Sequence, residues 1–452
     1  MNNETIWSND LNDFLSFSKE YNSVPNWMCG NNSHNYSSIS KNQQKSNDLS
    51  KKNEILVAKF NEDTFNYYVK TDKKEAFDYC KRCEKNNPND SVLLTCIGIC
   101  FKVGIGTKIN KNKCFEYLSK AVKIEDSFAF KWCFIGFCYE HGIGTEKNPK
   151  KAFDCYKKYI KLEPNTPVVW RLLGSFAWNN LGYCHEKGIG TEKDATEAFK
   201  CYKKAVEIDP NNSIILSNIG YCYLRGIGTE KNETEAFKCY KKAVEIDPKN
   251  SYAWNKLGYC HENGKGTEKN ETEAFKCYKK VVEIDPNHSY AWNQLGYCHG
   301  NGKGTEKDAT EAFKCYKKAV EIDPNYSNAW NNLGYCHGNG KGTEKDETEA
   351  FNCYKKAVEI DPENSAAWNN FGYCHGNGKG TEKDATEAFN CYKKSIEIDP
   401  NNSIILSNIG YCYLRGIGTE VDKLKAKELL TKALEIDSDC EEIKTVLKEC
   451  DE

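Results

Sequence analysis

One short block recurs through this sequence at a fixed interval. The triplet Gly-Tyr-Cys has its glycine at positions 182, 220, 258, 296, 334, 372 and 410, so that every step is 38 residues. Weaker copies place this glycine at 98 and 136. One step earlier Phe60 stands at that position, although Ala76 and Phe77 still match the later Ala-Phe pairs. Such a period predicts a solenoid of about ten units, each burying its apolar face only against its neighbours.

Each unit is predicted to form two helices. At 100° per residue, Trp254 and Leu257 share one face of a first helix, and Ala274 and Tyr278 share one face of a second. Pro286 ends the second helix, and equivalent prolines recur with the same period: Pro210, Pro248, Pro324, Pro362 and Pro400. The sequence therefore predicts an all-α chain of helix, glycine loop, helix and proline turn.

The loop between the two helices, "CHGNGKGTEKD" at 298–308, contains two features that resemble ligand sites. The adjacent Cys298 and His299 suggest a metal pair, but neighbouring helical residues diverge by 100° and cannot easily close on one ion. The glycines suggest a phosphate loop, but no strand precedes them and Lys303 is not followed by Ser or Thr. We expect the glycines to permit a tight turn. Asp308 with Glu311 then fits a capping box that begins the next helix.

The unit resembles a known repeat family. The residues that look like the tetratricopeptide pattern are Trp254, Leu257, Gly258, Ala274, Tyr278 and Pro286. The 38-residue period exceeds that pattern by four residues, which lengthen the loop. The loop "GxGTEKD" before "EAFKCY" is similar to the Sel-1-like repeat, and the match covers about residues 52–437. The resemblance implies an α/α solenoid with a right-handed superhelix, acting in protein assembly.

The organisation expected along the chain has three parts. Residues 1–50 are Asn/Ser-rich and expected to be largely disordered, with one short amphipathic helix ahead of residue 29. The repeats occupy 51–437, and eight extra residues near 170–185 should lengthen one first helix by about 12 Å. Residues 438–452 should form a capping helix, opened by Ser438 with Glu441.

Composition argues against a nucleic-acid partner, a membrane span and secretion. The formal net charge is −2 and only four arginines occur, which argues against a nucleic-acid partner. No window of 18 apolar residues predicts a membrane span, and the N-terminal residues do not fit a signal peptide. We therefore expect a cytoplasmic protein in which most of the 24 cysteines are reduced thiols.

The cysteines raise an alternative function in metal binding or redox sensing. One set has spacing close to that of zinc ligands: Cys80, Cys83, Cys96 and Cys100. However, Cys100 is the ordinary repeat cysteine, and the other three lie on two antiparallel helices. Cysteines elsewhere in the chain recur with the period, as packing positions do. Pairing within a unit, such as Cys184 with Cys201, remains geometrically open. We favour buried thiols, and we expect no cofactor and no metal.

Two positions of the first helix point away from its packing face and carry the candidate site. They lie three residues before and one residue after the repeated glycine, and they hold Asn179 and Tyr183, Asn255 and Tyr259, Asn293 and Tyr297, Asn331 and Tyr335, and Asn369 and Tyr373. Amides can pair with a peptide backbone, and tyrosines supply contact area. Because no nucleophile stands apart from the periodic residues, we expect no catalysis. The sequence predicts a non-enzymatic scaffold or adaptor that binds protein or peptide partners along a concave face.

Overall fold

The computed structural model describes residues 68–69, 71–125, 128–162 and 171–450. These residues form 20 helices and no strand. They fall into two compact units, within residues 1–247 and 248–452, which are described separately. The predicted N-terminal segment, 1–50, lies outside the described residues. None of the described helices is long and apolar enough to cross a bilayer.

The helices follow one another in pairs. The first unit contains α1 (Lys73–Asn86), α2 (Ser91–Val103), α3 (Lys111–Ala121), α4 (Phe130–His141), α5 (Pro149–Leu162), α6 (Arg171–Lys187), α7 (Ala195–Ile208), α8 (Ser213–Arg225) and α9 (Glu233–Ile246). The second contains α10 (Ser251–Asn263), α11 (Glu271–Ile284), α12 (Ser289–Asn301), α13 (Ala309–Ile322), α14 (Ser327–Asn339), α15 (Glu347–Ile360), α16 (Ser365–Asn377), α17 (Ala385–Ile398), α18 (Ser403–Arg415), α19 (Lys423–Ile436) and α20 (Glu441–Lys448). Within each unit, a first helix packs mainly on the second helix of its own repeat. The predicted all-α fold of repeated helix pairs is confirmed.

The repeated glycine lets the two helices of a repeat approach closely. A Cβ atom built on Gly296 would lie 2.7 Å from a ring carbon of Tyr316, and one built on Gly258 would lie 2.9 Å from Tyr278. Both distances are shorter than any ordinary carbon contact. Each buried tyrosine of the second helix therefore packs directly on the backbone of the first helix, and this contact explains why glycine returns with the period.

An aromatic contact joins consecutive repeats. The rings of Phe275 and His299 meet edge to face with centroids 5.3 Å apart, and Phe313 and His337 repeat the arrangement at 5.3 Å. In another repeat Tyr413 takes the histidine position. Histidine therefore takes the place of a packing aromatic in these repeats. The Nδ1 atoms of His299 and His337 are buried and have no hydrogen-bond partner among the described residues.

The loop between helices is a glycine turn that backbone hydrogen bonds close. Gly302 and Gly304 both have left-handed backbone conformations, with φ of 69° and 71°. The Gly302 N–H donates to the carbonyl of Cys298, and the Asp308 N–H donates to His299 O at 2.8 Å. The interpretation of these glycines as turn residues is confirmed.

The second helices begin at side-chain caps. The Glu311 N–H donates to Asp308 at 2.9 Å, and the Glu273 N–H donates to Asn270 at 3.0 Å. The capping box predicted at Asp308 is only half formed, because the Asp308 N–H already bonds to a carbonyl of the preceding helix. The Glu311 carboxylate instead accepts from Lys314 at 3.0 Å.

Two helices depart from the repeat pattern. Helix α6 has 17 residues, against 13 in α8, and it contains both Gly174 and Gly182. Within the described residues α6 is four residues longer than α8, and residues 163–170, immediately before it, lie outside them, so the full lengthening of eight residues stays a prediction. Helix α20 begins at Glu441 with Cys440 as its N-cap and no side-chain cap. The capping box predicted at Ser438 is therefore wrong, because the helix starts too late for that hydroxyl to reach its first turn.

Candidate polypeptide-binding surface

Three predicted tyrosines of the second unit and one further tyrosine form an exposed series along α12, α14, α16 and α18. The exposed fractions of Tyr297, Tyr335 and Tyr373 are 37%, 52% and 45%, and Tyr411 reaches 42% at the next register position. We call these four residues the tyrosine row. Tyr259, like Tyr183 in the first unit, is only half-buried. Four large rings are therefore presented to solvent at successive repeats.

The predicted asparagines are partly committed to contacts between repeats. In four repeats, the amide of the asparagine two positions before the repeated glycine donates to the asparagine of the preceding repeat. These bonds run from Asn218 to Asn179 (2.8 Å), Asn332 to Asn293 (2.9 Å), Asn370 to Asn331 (2.9 Å) and Asn408 to Asn369 (2.8 Å). Asn179 and Asn293 are also buried. The side-chain carbonyl oxygens of four predicted asparagines are therefore already hydrogen-bonded within the protein.

Asn255 lacks this bond because the next repeat carries glutamine. The Gln294 amide is longer than that of asparagine and reaches the carboxylate of Glu262, at 3.1 and 3.2 Å from its two oxygens. The Oδ1 atom of Asn255 is buried and has no hydrogen-bond partner among the described residues. In contrast, the Nδ2 groups of Asn331 and Asn369 donate to no group in the part of the chain that the structure describes, and they can still donate to a ligand carbonyl.

Lysines beside the tyrosine row were missed by the sequence argument. Lys303 Nζ lies 5.0 Å from the ring centre of Tyr297, and Lys379 Nζ donates to the Tyr373 hydroxyl at 2.9 Å. These hydrogen-bonding contacts with tyrosine raise the lysine pKa values. The loops carry Gly-Lys-Gly in these repeats and Gly-Ile-Gly in others, such as at Ile417. That alternation was a visible signal of a cationic surface confined to part of the chain.

Tyr411 was also missed. The sequence pattern required asparagine three residues before the repeated glycine together with tyrosine one residue after it, and in this repeat Ser407 stands in place of the asparagine. The Gly-Tyr-Cys triplet alone would have found it, because the tyrosine follows the glycine in every later repeat.

The predicted thiol sites are placed inside the helix packing. Cys80 contacts Cys100, both are fully buried, and Cys96 is half-buried. Within the described residues no three His, Cys, Asp or Glu side chains are grouped as a metal site requires, and every described cysteine is free. Burial raises the pKa of Cys184 and of Cys201 to about 12, which disfavours the reactive thiolate.

One thiol pair behaves differently. Cys114 and Cys138 are hydrogen-bonded to each other, and that bond lowers the pKa of Cys114 while it raises that of Cys138. Both thiols are almost fully buried. An oxidant would need an opening of the helix pair to reach them.

Comparison with known proteins identifies the repeat. Seven segments match the Sel1 repeat model, at residues 97–124, 133–162, 176–209, 216–247, 251–281, 289–323 and 328–361. Two further segments match a tetratricopeptide repeat model, at residues 353–384 and 391–428. No curated protein sequence gives a match.

A solved structure shows the same fold. The chain is similar to a protective antigen of uropathogenic Escherichia coli strains that displays an SLR fold, with 22% identity over 83% of this chain and 75% of that chain and a TM-score of 0.63. It is also similar to a Sel1 repeat protein from Oxalobacter formigenes, with 29% identity over 57% of this chain and 96% of that chain and a TM-score of 0.47.

Proposed function

This chain belongs to the Sel1 repeat family, and from that premise we propose that it is a non-enzymatic cytoplasmic scaffold that binds polypeptide partners through the tyrosine row. Repeat proteins of this kind typically assemble other proteins, because stacked helix pairs present long continuous surfaces. The proposal places the contact on α12, α14, α16 and α18.

The observation that carries the proposal is the exposure of four tyrosines in one register. Tyrosine supplies a large contact area at small entropic cost and is enriched among the residues that dominate binding energy. The free amide groups of Asn331 and Asn369 lie in the same helices, each four residues before a tyrosine of the row. A peptide lying across these helices would meet both ring surface and hydrogen-bond donors.

The test is a selection of peptides from an unbiased displayed library on the full-length protein, followed by affinity measurement. Replacing Tyr335 and Tyr373 with alanine should weaken the selected peptides, because each anchoring tyrosine contributes about 2 kcal/mol, or roughly thirtyfold in Kd. The matched control replaces Lys317 and Lys355, which are exposed on second helices, with alanine. If the library yields no binder, or if both double variants bind equally, the tyrosine row is not the binding surface.

A further inference from the structure

Three repeats contain a buried pair of tyrosine and glutamate. The tyrosine hydroxyl of the second helix donates to a glutamate near the end of the first helix. The pairs are Tyr156 with Glu140 (2.5 Å), Tyr202 with Glu186 (2.9 Å) and Tyr278 with Glu262 (2.7 Å). In each pair the glutamate stands four residues after the repeated glycine. The chain thus has a defined place for one carboxylate beside a buried hydroxyl.

The next three repeats replace that glutamate with glycine, at Gly300, Gly338 and Gly376. The matching tyrosines are retained and remain at least nine-tenths buried: Tyr316 (6% exposed), Tyr354 (5%) and Tyr392 (6%). None of these three hydroxyls has a hydrogen-bond partner within the described residues, although Tyr278 uses its hydroxyl for Glu262. These three repeats therefore keep the tyrosine hydroxyl donor but lack the glutamate that accepts from it in the repeats of α4, α6 and α10.

In these three repeats the position that the glutamate side chain occupies elsewhere carries no side chain. A Cβ atom built on Gly300 would lie 3.5 Å from the Cβ of Ala312 and 3.8 Å from the hydroxyl of Tyr316. The corresponding distance from Gly338 to the Tyr354 hydroxyl is 3.9 Å. At Gly300 these are ordinary contact distances. A Cβ on Gly338 or on Gly376 would also lie 3.3 or 3.4 Å from the Cβ of Ala350 or Ala388, so a side chain there needs the neighbouring helix to shift by only a few tenths of an ångström. We call the three spaces beside Gly300, Gly338 and Gly376 the glycine notches.

The charge around the notches also differs between repeats. Beside Glu262, a cleft is lined by two lysines, by Glu271 and by Tyr297. There Lys303 and Lys269 lie 3.5 and 3.3 Å from the Glu271 carboxylate, so that cation and anion are balanced.

One repeat further on, the two acids are lost and the lysines are kept. Gly300 stands in place of the first glutamate and Ala309 in place of the second, whereas Lys307 and Lys341 remain. Neither lysine has an ion-pair partner within the described part of the chain, and the row tyrosine there, Tyr335, is the most exposed of the four. The Gly300 notch therefore combines the hydroxyl donor of Tyr316 with two lysines that have no ion-pair partner among the described residues, and it lacks the two glutamates of the preceding repeat.

We propose that the glycine notches bind the carboxylate side chains of an extended acidic segment of a partner polypeptide. The partner's Asp or Glu takes the place that Glu262 occupies within the chain. The carboxylate accepts from the tyrosine hydroxyl at the floor of the notch, and at the Gly300 notch it is also attracted by Lys307 and Lys341. The attraction is weaker at the other two notches, because Lys345 pairs with Glu347 at 2.7 Å beside Gly338 and Ile417 replaces the second lysine beside Gly376. This inference rests on the proposed function, and it specifies the chemistry of the partner.

The geometry also sets the spacing of the acidic residues. Consecutive first helices share side-chain hydrogen bonds, such as Asn370 to Asn331, and helices in such contact lie about 8–10 Å apart. An extended chain advances about 3.3 Å per residue. A segment that crosses the helices should therefore present a carboxylate at about every third residue.

The experiment measures binding of a fluorescent peptide with glutamate at every third position, separated by serine, to the full-length protein. The combined substitutions Gly300→Glu, Gly338→Glu and Gly376→Glu place the chain's own carboxylate in each notch and should weaken binding at least about tenfold. These substitutions keep the fold, because glutamate stands naturally at this position in α10. Thermal unfolding of the variant, expected at or above that of the parent protein, checks this.

Two further variants isolate the chemistry. Tyr316→Phe, with the same change at Tyr354 and Tyr392, removes only the donors and should also weaken the peptide. Glu262→Gly opens a fourth notch and should tighten binding about tenfold. The control peptide carries glutamine in place of glutamate and should bind weakly.

Three outcomes would overturn the inference: unchanged binding in the triple glutamate variant, equal binding of the glutamine peptide, or displacement of the peptide by inorganic phosphate as readily as by unlabelled peptide. In each of these cases the proposed function would still stand if peptides from the unbiased library bind and need Tyr335 and Tyr373. Failure of both experiments would remove the binding surface itself.

Discussion

Three glycines within five residues should respond to alanine in three different ways. Gly300 is helical with open space at its Cβ position, Gly302 has a φ of 69°, and Gly304 has a φ of 71°. A Cβ on Gly302 would be 3.4 Å from its nearest neighbour, in the flexible side chain of Lys307. A Cβ on Gly304 would lie 2.1 Å from the carbonyl oxygen of Glu271. The same substitution therefore tests three distinct physical effects.

The magnitudes follow from these environments. Gly300→Ala should stabilise the helix end by about 0.5–1 kcal/mol, because alanine loses less backbone entropy. Gly302→Ala should cost about 1–2 kcal/mol, the penalty of the left-handed conformation. Gly304→Ala carries the same penalty together with a backbone clash that forces the loop to move by about 1 Å, which adds about 1–3 kcal/mol.

The assay is hydrogen exchange of the amides in the loop and in the first turn of α13, compared with amides in the centre of α11. Each 1.4 kcal/mol changes the population of the open loop about tenfold. Gly304→Ala should therefore exchange about ten to a hundred times faster than Gly302→Ala. Equal exchange in the two variants would refute the claim that the loop rests against the preceding repeat.

Three more predictions follow from other contacts. Asn332→Ala should lower the free energy of unfolding by about 1–3 kcal/mol, because it leaves the buried Asn293 acceptor unpaired, and denaturant unfolding measures this loss. The control is Asn301→Ala, which removes an amide that bonds only to its own helix. A smaller loss in Asn332→Ala than in this control would contradict the prediction. Burial raises the pKa of Glu140 to about 6, so the folded protein favours its protonated form; stability should fall as the pH rises from about 4.5 to 6, and Glu140→Gln should remove that part of the pH dependence of the unfolding temperature. Burial also raises the pKa of Cys298 to about 12; alkylation at pH 8 should therefore be slow until denaturant opens the repeats, and rapid modification of native protein would show that the thiol is accessible.

The period alone was sufficient to predict the fold. The repeated glycine, the loop glycines and the prolines each have one local physical reason to recur, and the structure shows those reasons at Gly296, Gly304 and Pro286. Capping at Asp308 was predicted for the same reason. It was only half right, since the sequence did not reveal that a loop backbone bond competes for the same N–H.

The candidate site was less accessible to sequence reasoning. The position of Asn293 on the helix surface could be predicted, but its bond to Asn332 depends on how two consecutive first helices are rotated, and helical periodicity does not contain that angle. The exposure of Tyr297, Tyr335 and Tyr373 followed from their register, whereas Tyr183 and Tyr259 at the same register are only half-buried. The sequence shows glycine at position 300 where other repeats carry glutamate. Only the structure shows that the Tyr316 hydroxyl lies beside this position and is left without its acceptor.

The amide bonds between repeats give the array a direction. Where this bond forms, an amide two positions before the glycine of one repeat donates to an asparagine three positions before the glycine of the preceding repeat. The repeat of α18 has the donor in Asn408 but carries Ser407 at the acceptor position, and that hydroxyl bonds to its own helix at Ile404. Copies of the α14 or α16 repeat could therefore be inserted in series with this junction intact, whereas a repeat inserted after α18 would have to pack without it, as the repeat after Ser217 does in this sequence.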